Sequence, residues 1–262
     1  MKDFFNLKGQ RALITGGTHG LGMAMAKGLA MAGAELIING HSEERMDKAI
    51  AEYKQHGFNV HRAIFNVTDD KEVKASIDKI EKEIGPIDIL VNNAGIIKRI
   101  PILEMEVEDF REVINVDLVG PFIVSKHTGR YMVQRKAGKI INICSMMSEL
   151  GRNTVTAYAA AKGGLKMLTK NMATEWAKYN IQVNGIGPGY FATDQTAPIR
   201  VSGHPFNEFI INRTPAGRWG NPEDLMGTIV FLASPASDFV NGQIIYVDGG
   251  ILATIGKPSN EL

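Results

Sequence analysis

The sequence has few of the residues that would indicate a disulfide-stabilised or metal-binding protein. Cys144 is the single cysteine, which excludes a disulfide within the chain and a metal site built from several cysteines. It stands in an apolar run, so we expect a small buried side chain rather than a reactive thiol. The six histidines are scattered without the paired helical spacing of a zinc site, so we expect no metal.

An excess of charge of either sign and long apolar runs are also missing. The formal net charge is +1, from 29 basic and 28 acidic residues, which gives no electrostatic reason to expect nucleic acid or a membrane as a partner. No run of about 18 apolar residues is present, and the first residues lack a signal-peptide core. With 44% apolar residues the composition is that of an ordinary globular protein, and we expect it in the cytoplasm.

Short apolar runs alternate with helical patterns along the chain. The runs that predict strands lie at 11–15, 35–39, 58–65, 87–91, 139–144, 181–186 and 243–247. The helical patterns lie at 21–32, 42–56, 68–84, 107–134, 156–179 and 222–232, and Gly120-Pro121 is expected to kink the longest one. Strands without polar alternation indicate a parallel sheet covered on both faces. The predicted fold class is therefore α/β, a single doubly wound domain over residues 1–262.

Several motifs fall at the carboxyl ends of predicted strands, where doubly wound sheets bind ligands. These are the glycine-rich turn 16–22, the turn 92–95, Ser145 and Pro188-Gly189. Residues 190–220 follow the last motif and are irregular, with many proline, glycine and polar residues. A connection this long is usually a lid or a binding segment, so we expect it to cover the substrate.

The glycine-rich turn after the first predicted strand has the composition of a phosphate-binding loop. It reads Gly16-Gly-Thr-His-Gly-Leu-Gly22, with the spacing G-x-x-x-G-x-G, and leads into a helical pattern. Glycines let the backbone approach a ligand, and a helix N-terminus offers free N–H groups and a positive dipole to a pyrophosphate. The turn therefore predicts a dinucleotide site, and a tight turn that binds nothing is the alternative.

The end of the second predicted strand lacks the acidic residue that usually binds the adenosine ribose of a dinucleotide. Gly40 and His41 stand there instead. No carboxylate would repel a 2′-phosphate, and no arginine would bind one. Gly40 therefore weakly favours NADP over NAD. His19 and His41 are candidate neighbours of the phosphate, and use of both cofactors stays open.

Tyr158 and Lys162 stand four residues apart in an apolar helical pattern, which places them on one face of the helix. A nearby cation favours the phenolate form, so this tyrosine could exchange a proton with an alcohol or a carbonyl near neutral pH. Ser145 ends an apolar strand, from which its hydroxyl could reach the same substrate oxygen. Alone, a tyrosine and a lysine at this spacing are far more often an ordinary pair on a helix surface.

Taken together, these motifs resemble those of the short-chain dehydrogenase/reductase family over nearly the whole chain. The features that carry the resemblance are Thr15 to Gly22, Asn92-Asn-Ala-Gly95, Ser145, Tyr158-x-x-x-Lys162, Pro188-Gly189 with Thr193, and Val247-Asp-Gly-Gly250. The resemblance implies a seven-stranded Rossmann-type domain and a homotetramer. It also implies hydride transfer to or from NAD or NADP, with Tyr158 as acid and base, Lys162 favouring the tyrosinate and binding the nicotinamide ribose, and Ser145 orienting the substrate.

The same resemblance predicts the cofactor-binding residues. They are Gly16, Thr18, His19, Gly20, Leu21, Gly22, His41, Asn66, Val67, Asn93, Ala94, Gly95, Tyr158, Lys162, Pro188, Gly189 and Thr193.

Four stretches resemble the gluconate 5-dehydrogenase group within this family. They are 95–99, 138–152, 184–191 and 213–219. The implied reaction converts D-gluconate to 5-dehydro-D-gluconate, reversibly. Such a sugar acid suits Arg99 or Arg152 for its carboxylate and Glu149 for its hydroxyls, with Ser145 and Tyr158 at the reacting oxygen, although surface charge would explain the first three equally well.

Asp117 departs from the family pattern, which has a fourth catalytic residue, an asparagine, at this position. The family asparagine is credited mainly with holding a relay water through its main-chain carbonyl, which Asp117 also has, so we count Asp117 as catalytic and expect Asp117→Asn to stay active. An ionised carboxylate accepts hydrogen bonds but cannot donate them, so the local network must differ.

Other functions stay open at this stage. Within the enzyme class they are a 2-deoxy-gluconate 3-dehydrogenase and a 3-oxoacyl carrier-protein reductase. A non-catalytic nucleotide-sensing protein is the remaining alternative, and the changed residue at Asp117 is its only support.

Overall fold

Seven parallel strands form one sheet in the computed structural model, which describes residues 3–256. The strands are β1 Arg11–Ile14, β2 Glu35–Gly40, β3 Val60–Ile64, β4 Ile89–Asn92, β5 Gly138–Ile143, β6 Ile181–Pro188 and β7 Ile244–Val247. Residues 1–2 and 257–262 of the predicted domain lie outside the described residues.

The strand order is β3-β2-β1-β4-β5-β6-β7, so the chain reverses direction across the sheet between β1 and β4. At this switch Ile14 pairs with Ile38 on one side and with Val91 on the other. A crevice opens at the carboxyl ends of the strands at such a point, and dinucleotides bind there. The order is that of a Rossmann-type doubly wound sheet, and the predicted fold class is confirmed.

Eight α-helices are described. They are α1 Gly20–Met31, α2 Glu43–Gln55, α3 Asp70–Glu83, α4 Val107–Ile114, α5 Gly120–Arg135, α6 Thr156–Trp176, α7 Pro205–Arg213 and α8 Met226–Ala233. None of the described helices is long and apolar enough to cross a membrane.

The core consists of two large apolar clusters, one on each face of the sheet. Successive side chains of a strand point to opposite faces, so Ile14 joins the cluster under α1 and α8, while Leu13 joins the cluster under α3 and α5. Both residues have no exposed surface. Because both faces are covered, the strands need apolar residues at consecutive positions, which explains why their sequences do not alternate.

The helix predicted at 107–134 is interrupted by one π-helical turn, Asn115–Val119, between α4 and α5. Proline has no N–H, so Pro121 cannot donate the α-helical hydrogen bond to the carbonyl of Asp117. The N–H of Gly120 bonds instead to the carbonyl of Asn115, five residues back. The sequence therefore predicted the break, and the structure places it just before Gly120-Pro121.

The prediction of irregular structure across 190–220 was wrong in part. A 3₁₀ segment, Asp194–Ile199, and the helix α7 lie within it. Pro205 stands in the first turn of α7, where its fixed φ and missing N–H are harmless, and the ring of His204 accepts a hydrogen bond from the N–H of Phe206. The proline that suggested a loop is thus the start of a helix.

Candidate active site

The glycine-rich turn after β1 is tied to the turn after β4 by hydrogen bonds. The hydroxyl of Thr15 accepts from the N–H groups of Asn93 and Ala94 at 3.0 and 3.1 Å. The side-chain amide of Asn93 donates to the carbonyls of Thr15 and Gly16, both at 3.0 Å. Gly22 packs so closely on this amide that a Cβ there would overlap it. The predicted cofactor residues of these two turns therefore lie side by side at the switch point.

The first turn of α1 fits a phosphate. His19 is the N-cap residue, but its side chain makes no capping hydrogen bond. The free N–H groups and the positive dipole of the helix therefore point into the crevice without a protein anion to satisfy them. Gly16 and Gly20 have φ of +63° and +55°, a conformation in which most side chains are strained. The geometry fits the diphosphate of NAD or NADP.

Position 40 leaves no room for a side chain. A Cβ on Gly40 would lie 2.9 Å from Cγ2 of Thr18 and 3.4 Å from Cε of Met46. The hydroxyl of Thr18 lies 3.1 Å from Nδ1 of His19. The exposed rings of His19 and His41 flank this end of β2. The structure therefore keeps an acidic side chain away from the site where an adenosine ribose would lie.

Lys162 reaches the carboxyl end of β5, where it donates to the carbonyl of Ile143, two residues before Ser145. Lys162 and Tyr158 occupy one face of α6, with Nζ 5.5 Å from the centre of the Tyr158 ring. Ser145 is 7% exposed and its Oγ accepts a hydrogen bond from the N–H of Met147 at 3.1 Å, which leaves its O–H to donate to a ligand. Lys162 is 4% exposed and donates to the carbonyl of Ile143 at 2.9 Å.

Asp117 joins this cluster through its side chain. Its Oδ2 lies 3.1 Å from Nζ of Lys162, and its Oδ1 accepts a hydrogen bond from the N–H of Ile96 at 2.7 Å. The carboxylate has no exposed surface. The sequence predicted a different network at this position but not that the carboxylate would contact Lys162.

Burial and charge act in opposite directions on Lys162. Burial lowers its pKa, and the attraction of Asp117 and Tyr158 outweighs this and raises the pKa above the ordinary value. Cys144 lies beside the pair, and burial raises the pKa of its thiol to about 11. Cys144 is thus a buried neutral side chain, 1% exposed.

The three side chains predicted to bind the carboxylate and the hydroxyls of the substrate have different surroundings. Arg99 is exposed and makes no hydrogen bond or ion pair within the described residues. Its neighbour Lys98 is bound to Asp109 at 2.6 Å and also to Glu112. In contrast to Arg99, Glu149 is already bound, because it accepts hydrogen bonds from Lys166 and from the hydroxyl of Tyr246.

Arg152 is held by the segment 190–213. Its Nη1 donates to the hydroxyl of Tyr190 at 3.1 Å, and its guanidinium lies 4.9 Å above the ring of Phe206. The ring of Tyr190 packs edge-on against Phe206 and Trp219. Arg152 therefore connects the loop after β5 to the segment predicted to cover the substrate.

The remaining predicted cofactor residues lie at strand ends or in loops. Gly189 donates to the carbonyl of Val247, and a Cβ on it would lie 2.7 Å from Cα of Asp248. Thr193 is the N-cap of the 3₁₀ segment. Asn66 accepts hydrogen bonds from Thr68. Leu21 is partly buried, and Pro188 ends β6. Val67 packs under Gly120, and Gly95 faces Asp117.

Two contributors to the site were missed by sequence reasoning. Tyr53 on α2 is fully buried, and its hydroxyl donates to the carbonyl of Gly17 at 2.7 Å. The carbonyl oxygens of Thr15, Gly16 and Gly17 thus all accept hydrogen bonds from protein groups, and the N–H of Gly17 donates to the carbonyl of Asn39 at 3.2 Å, which fixes the backbone of the turn. For Tyr53, the only signal in the sequence is a tyrosine at an apolar position of a predicted helix. For Thr15, it is a polar residue at the end of an apolar strand.

The chain is similar to proteins with named activities. A family model described as enoyl-(acyl carrier protein) reductase, one of the short-chain dehydrogenases, matches residues 16–252. The chain is 72% identical over 260 residues to the 2-dehydro-3-deoxy-D-gluconate 5-dehydrogenase of Formosa agariphila, covering 99% of this chain and 98% of that protein. It is 51% identical over 255 residues to the 5-keto-D-gluconate 5-reductase of Escherichia coli K12, covering 97% and 100% of the two chains.

A solved structure matches the whole fold. The gluconate 5-dehydrogenase from Burkholderia cenocepacia J2315, in complex with NADP and tartrate, superimposes with a TM-score of 0.92. The two chains are 47% identical, and the match covers 97% of this chain and 99% of the other.

Proposed function

This chain belongs to the short-chain dehydrogenase/reductase family, and on that premise we propose that it transfers a hydride between NAD(P) and C5 of a six-carbon sugar acid. The proposed reaction is the reversible oxidation of D-gluconate to 5-dehydro-D-gluconate. The observation that supports it is the position of Lys162, whose Nζ lies 5.5 Å from the centre of the Tyr158 ring and donates to the carbonyl of Ile143, two residues before Ser145.

The protein groups handle the proton and the substrate oxygen. In the oxidative direction Tyr158 removes the hydroxyl proton, and the ammonium of Lys162 stabilises the phenolate. Ser145 donates its O–H to the same oxygen and holds it beside Tyr158. A bound NAD(P) would supply the acceptor for the hydride that leaves the carbon. In the reverse direction Tyr158 returns the proton to the oxygen of the carbonyl.

Arg99 is the proposed partner of the substrate carboxylate. Its guanidinium is free within the described residues and can make the bidentate contact that suits a carboxylate. Because Lys98 is neutralised by Asp109 and Glu112, this loop offers a local cation rather than an extended basic patch. That favours a small sugar acid over a carrier-protein substrate, the alternative for which a basic patch beside the cleft was expected.

A second substrate is favoured by one specific observation. The relative that shares 72% identity is named for 2-dehydro-3-deoxy-D-gluconate, not for gluconate. Both names place the reaction at C5 of a sugar acid, so the same Ser145 and Tyr158 serve either compound. We propose that Arg99 binds the carboxylate of either compound. The alternative, a 2-deoxy-gluconate 3-dehydrogenase, would instead need C3 of its substrate to face Tyr158.

The cofactor is NADP or NAD, and we propose that NADP is preferred. The support is the absence of room for an acidic side chain at Gly40, together with the exposed His19 and His41. A relative of similar fold was solved with NADP. A 2′-phosphate would therefore meet two imidazoles and no carboxylate from β2.

We also propose a homotetramer in the cytoplasm. Support for assembly comes from a groove of about 670 Å³ between α5 and α6, in which the half-exposed ring of Phe122 meets Leu168 and Trp176. Light scattering of the purified protein would give its mass in solution.

The test is the change of absorbance at the reduced-nicotinamide band with D-gluconate or 2-dehydro-3-deoxy-D-gluconate, each with NAD and with NADP. We expect turnover with at least one sugar acid and a higher kcat/KM with NADP. Tyr158→Phe is the control, and it should bind cofactor but lose turnover. If the protein binds cofactor but oxidises neither acid, the proposal is contradicted. The non-catalytic nucleotide-sensing alternative is then favoured.

A further inference from the structure

Among residues 3–256, the carboxylate of Asp117 is the only acidic side chain that forms an ion pair with Lys162. Lys162 extends from α6 and meets Asp117 from the π-helical turn and the carbonyl of Ile143 from β5. The other titratable groups around it are Tyr158 on its own helix and Cys144 in the loop after β5. Burial raises the pKa of Cys144 to about 11, so this thiol is neutral near pH 7 and supplies no charge to balance the ammonium.

A buried ammonium needs such a partner. Lys162 is 4% exposed and Asp117 has no exposed surface, so neither charge is solvated by water. Burial alone would lower the pKa of Lys162, whereas the structure gives a raised pKa because Asp117 and Tyr158 attract the ammonium. Oδ2 of Asp117 lies 3.1 Å from Nζ of Lys162, within the distance of a direct ion pair.

We propose that Asp117 is the counter-ion of Lys162, and that its buried carboxylate, 3.1 Å from Nζ, balances the charge of the ammonium and holds it in position. This inference rests on the proposed function only where it concerns turnover. Asp117 acts through Lys162, so it is a positioning residue. Its second oxygen accepts from the N–H of Ile96, which joins the lysine to the turn that carries Asn93 and Ala94.

The surroundings of Asp117 show which substitution is informative. A Cβ on Gly95 would lie 2.8 Å from Oδ2, so the carboxylate fills its space and a longer glutamate would not fit. Asparagine has the same shape and can keep the bond to Ile96 through its oxygen. Its NH₂ group would then face the ammonium with donors instead of an acceptor, so Asp117→Asn removes the charge and preserves the packing.

The first test needs no substrate. The ammonium of Lys162 is titrated by NMR of protein labelled with ¹⁵N-lysine, and Lys162→Met assigns its signal. We expect the deprotonation midpoint to fall by about one pH unit or more in Asp117→Asn, since burial then acts without the opposing carboxylate. An unchanged midpoint would overturn the proposal, whatever the substrate proves to be.

The second test is the pH profile of kcat with whichever sugar acid is turned over. A charged Lys162 is needed for turnover, so the alkaline limb of the Asp117→Asn profile should move to lower pH by a similar amount. A purely structural role would instead lower kcat equally at every pH. Glu81→Gln is the matched control, because it removes a carboxylate from the ion pair with Arg135 and should leave the profile in place.

These two readouts separate the possible failures. A shifted NMR midpoint without turnover on any sugar acid would support the counter-ion and contradict the proposed substrate class. Turnover with an unshifted midpoint would support the substrate class and contradict the counter-ion.

Discussion

The hydroxyl of Tyr53 donates a hydrogen bond to the carbonyl of Gly17 over 2.7 Å, from a position on α2 with no exposed surface. A residue on a different helix thus fixes the backbone of the turn that we propose binds the cofactor. We expect Tyr53→Phe to weaken cofactor binding roughly two- to tenfold, since a buried hydrogen bond contributes about 0.5–1.5 kcal/mol.

The measurement for Tyr53→Phe is the dissociation constant of NADPH from its fluorescence, alongside the melting temperature. Tyr131→Phe is the control, because it removes a hydroxyl bonded to Asp78 at 2.9 Å, on α3. Equal effects of both variants on NADPH binding would show that Tyr53 only stabilises the fold.

Gly40→Asp should fail to create a good NAD enzyme unless Thr18 is changed with it. The new Cβ would lie 2.9 Å from Cγ2 of Thr18, so the side chain of Thr18 must shift within the turn and binding of both cofactors should fall. Thr18→Ser removes only that methyl group and keeps the hydroxyl near His19. In the double variant we expect NAD to be preferred, measured as the ratio of kcat/KM for NAD and NADP. A single variant that already prefers NAD would refute the steric argument.

Arg99→Ala should raise the KM for the sugar acid about 10- to 100-fold with little change in kcat, since a hydrogen bond to a charged group contributes about 1.5–3 kcal/mol. The reason is the loss of the free guanidinium that binds the carboxylate. Steady-state kinetics measure the effect, and Lys98→Ala is the control, because Lys98 is occupied by Asp109 and Glu112. An unchanged KM in Arg99→Ala would remove Arg99 from the substrate site.

Arg152→Lys tests whether this residue closes the segment 190–213 or binds substrate. Lysine keeps the charge but cannot keep both the flat contact on Phe206 and the hydrogen bond to Tyr190. We expect faster proteolysis within 190–213 and a lower kcat/KM. If KM for the sugar acid rises while the rate of proteolysis is unchanged, Arg152 binds the carboxylate instead.

The order of elements in this protein followed from local patterns. Residues such as Leu13 and Ile14 stand consecutively in a strand because both faces of the sheet are covered, and that pattern can be recognised without coordinates. The spacing of Tyr158 and Lys162 likewise depends only on the helical period. Helix α7 was missed because Pro205 breaks a helix interior but suits a first turn, and composition alone does not distinguish the two.

The sequence alone determined the fold class, the glycine-rich turn and the Ser145, Tyr158 and Lys162 set, because strand periodicity, backbone freedom and helical spacing are properties of short stretches. Only the tertiary structure decided the partner of each charge. Asp117 reaches Lys162, and Arg152 reaches Tyr190, through side chains distant in the chain. Lys98 and Arg99 are adjacent and both cationic, yet Lys98 forms ion pairs with Asp109 and Glu112 of α4, whereas Arg99 forms none within the described residues.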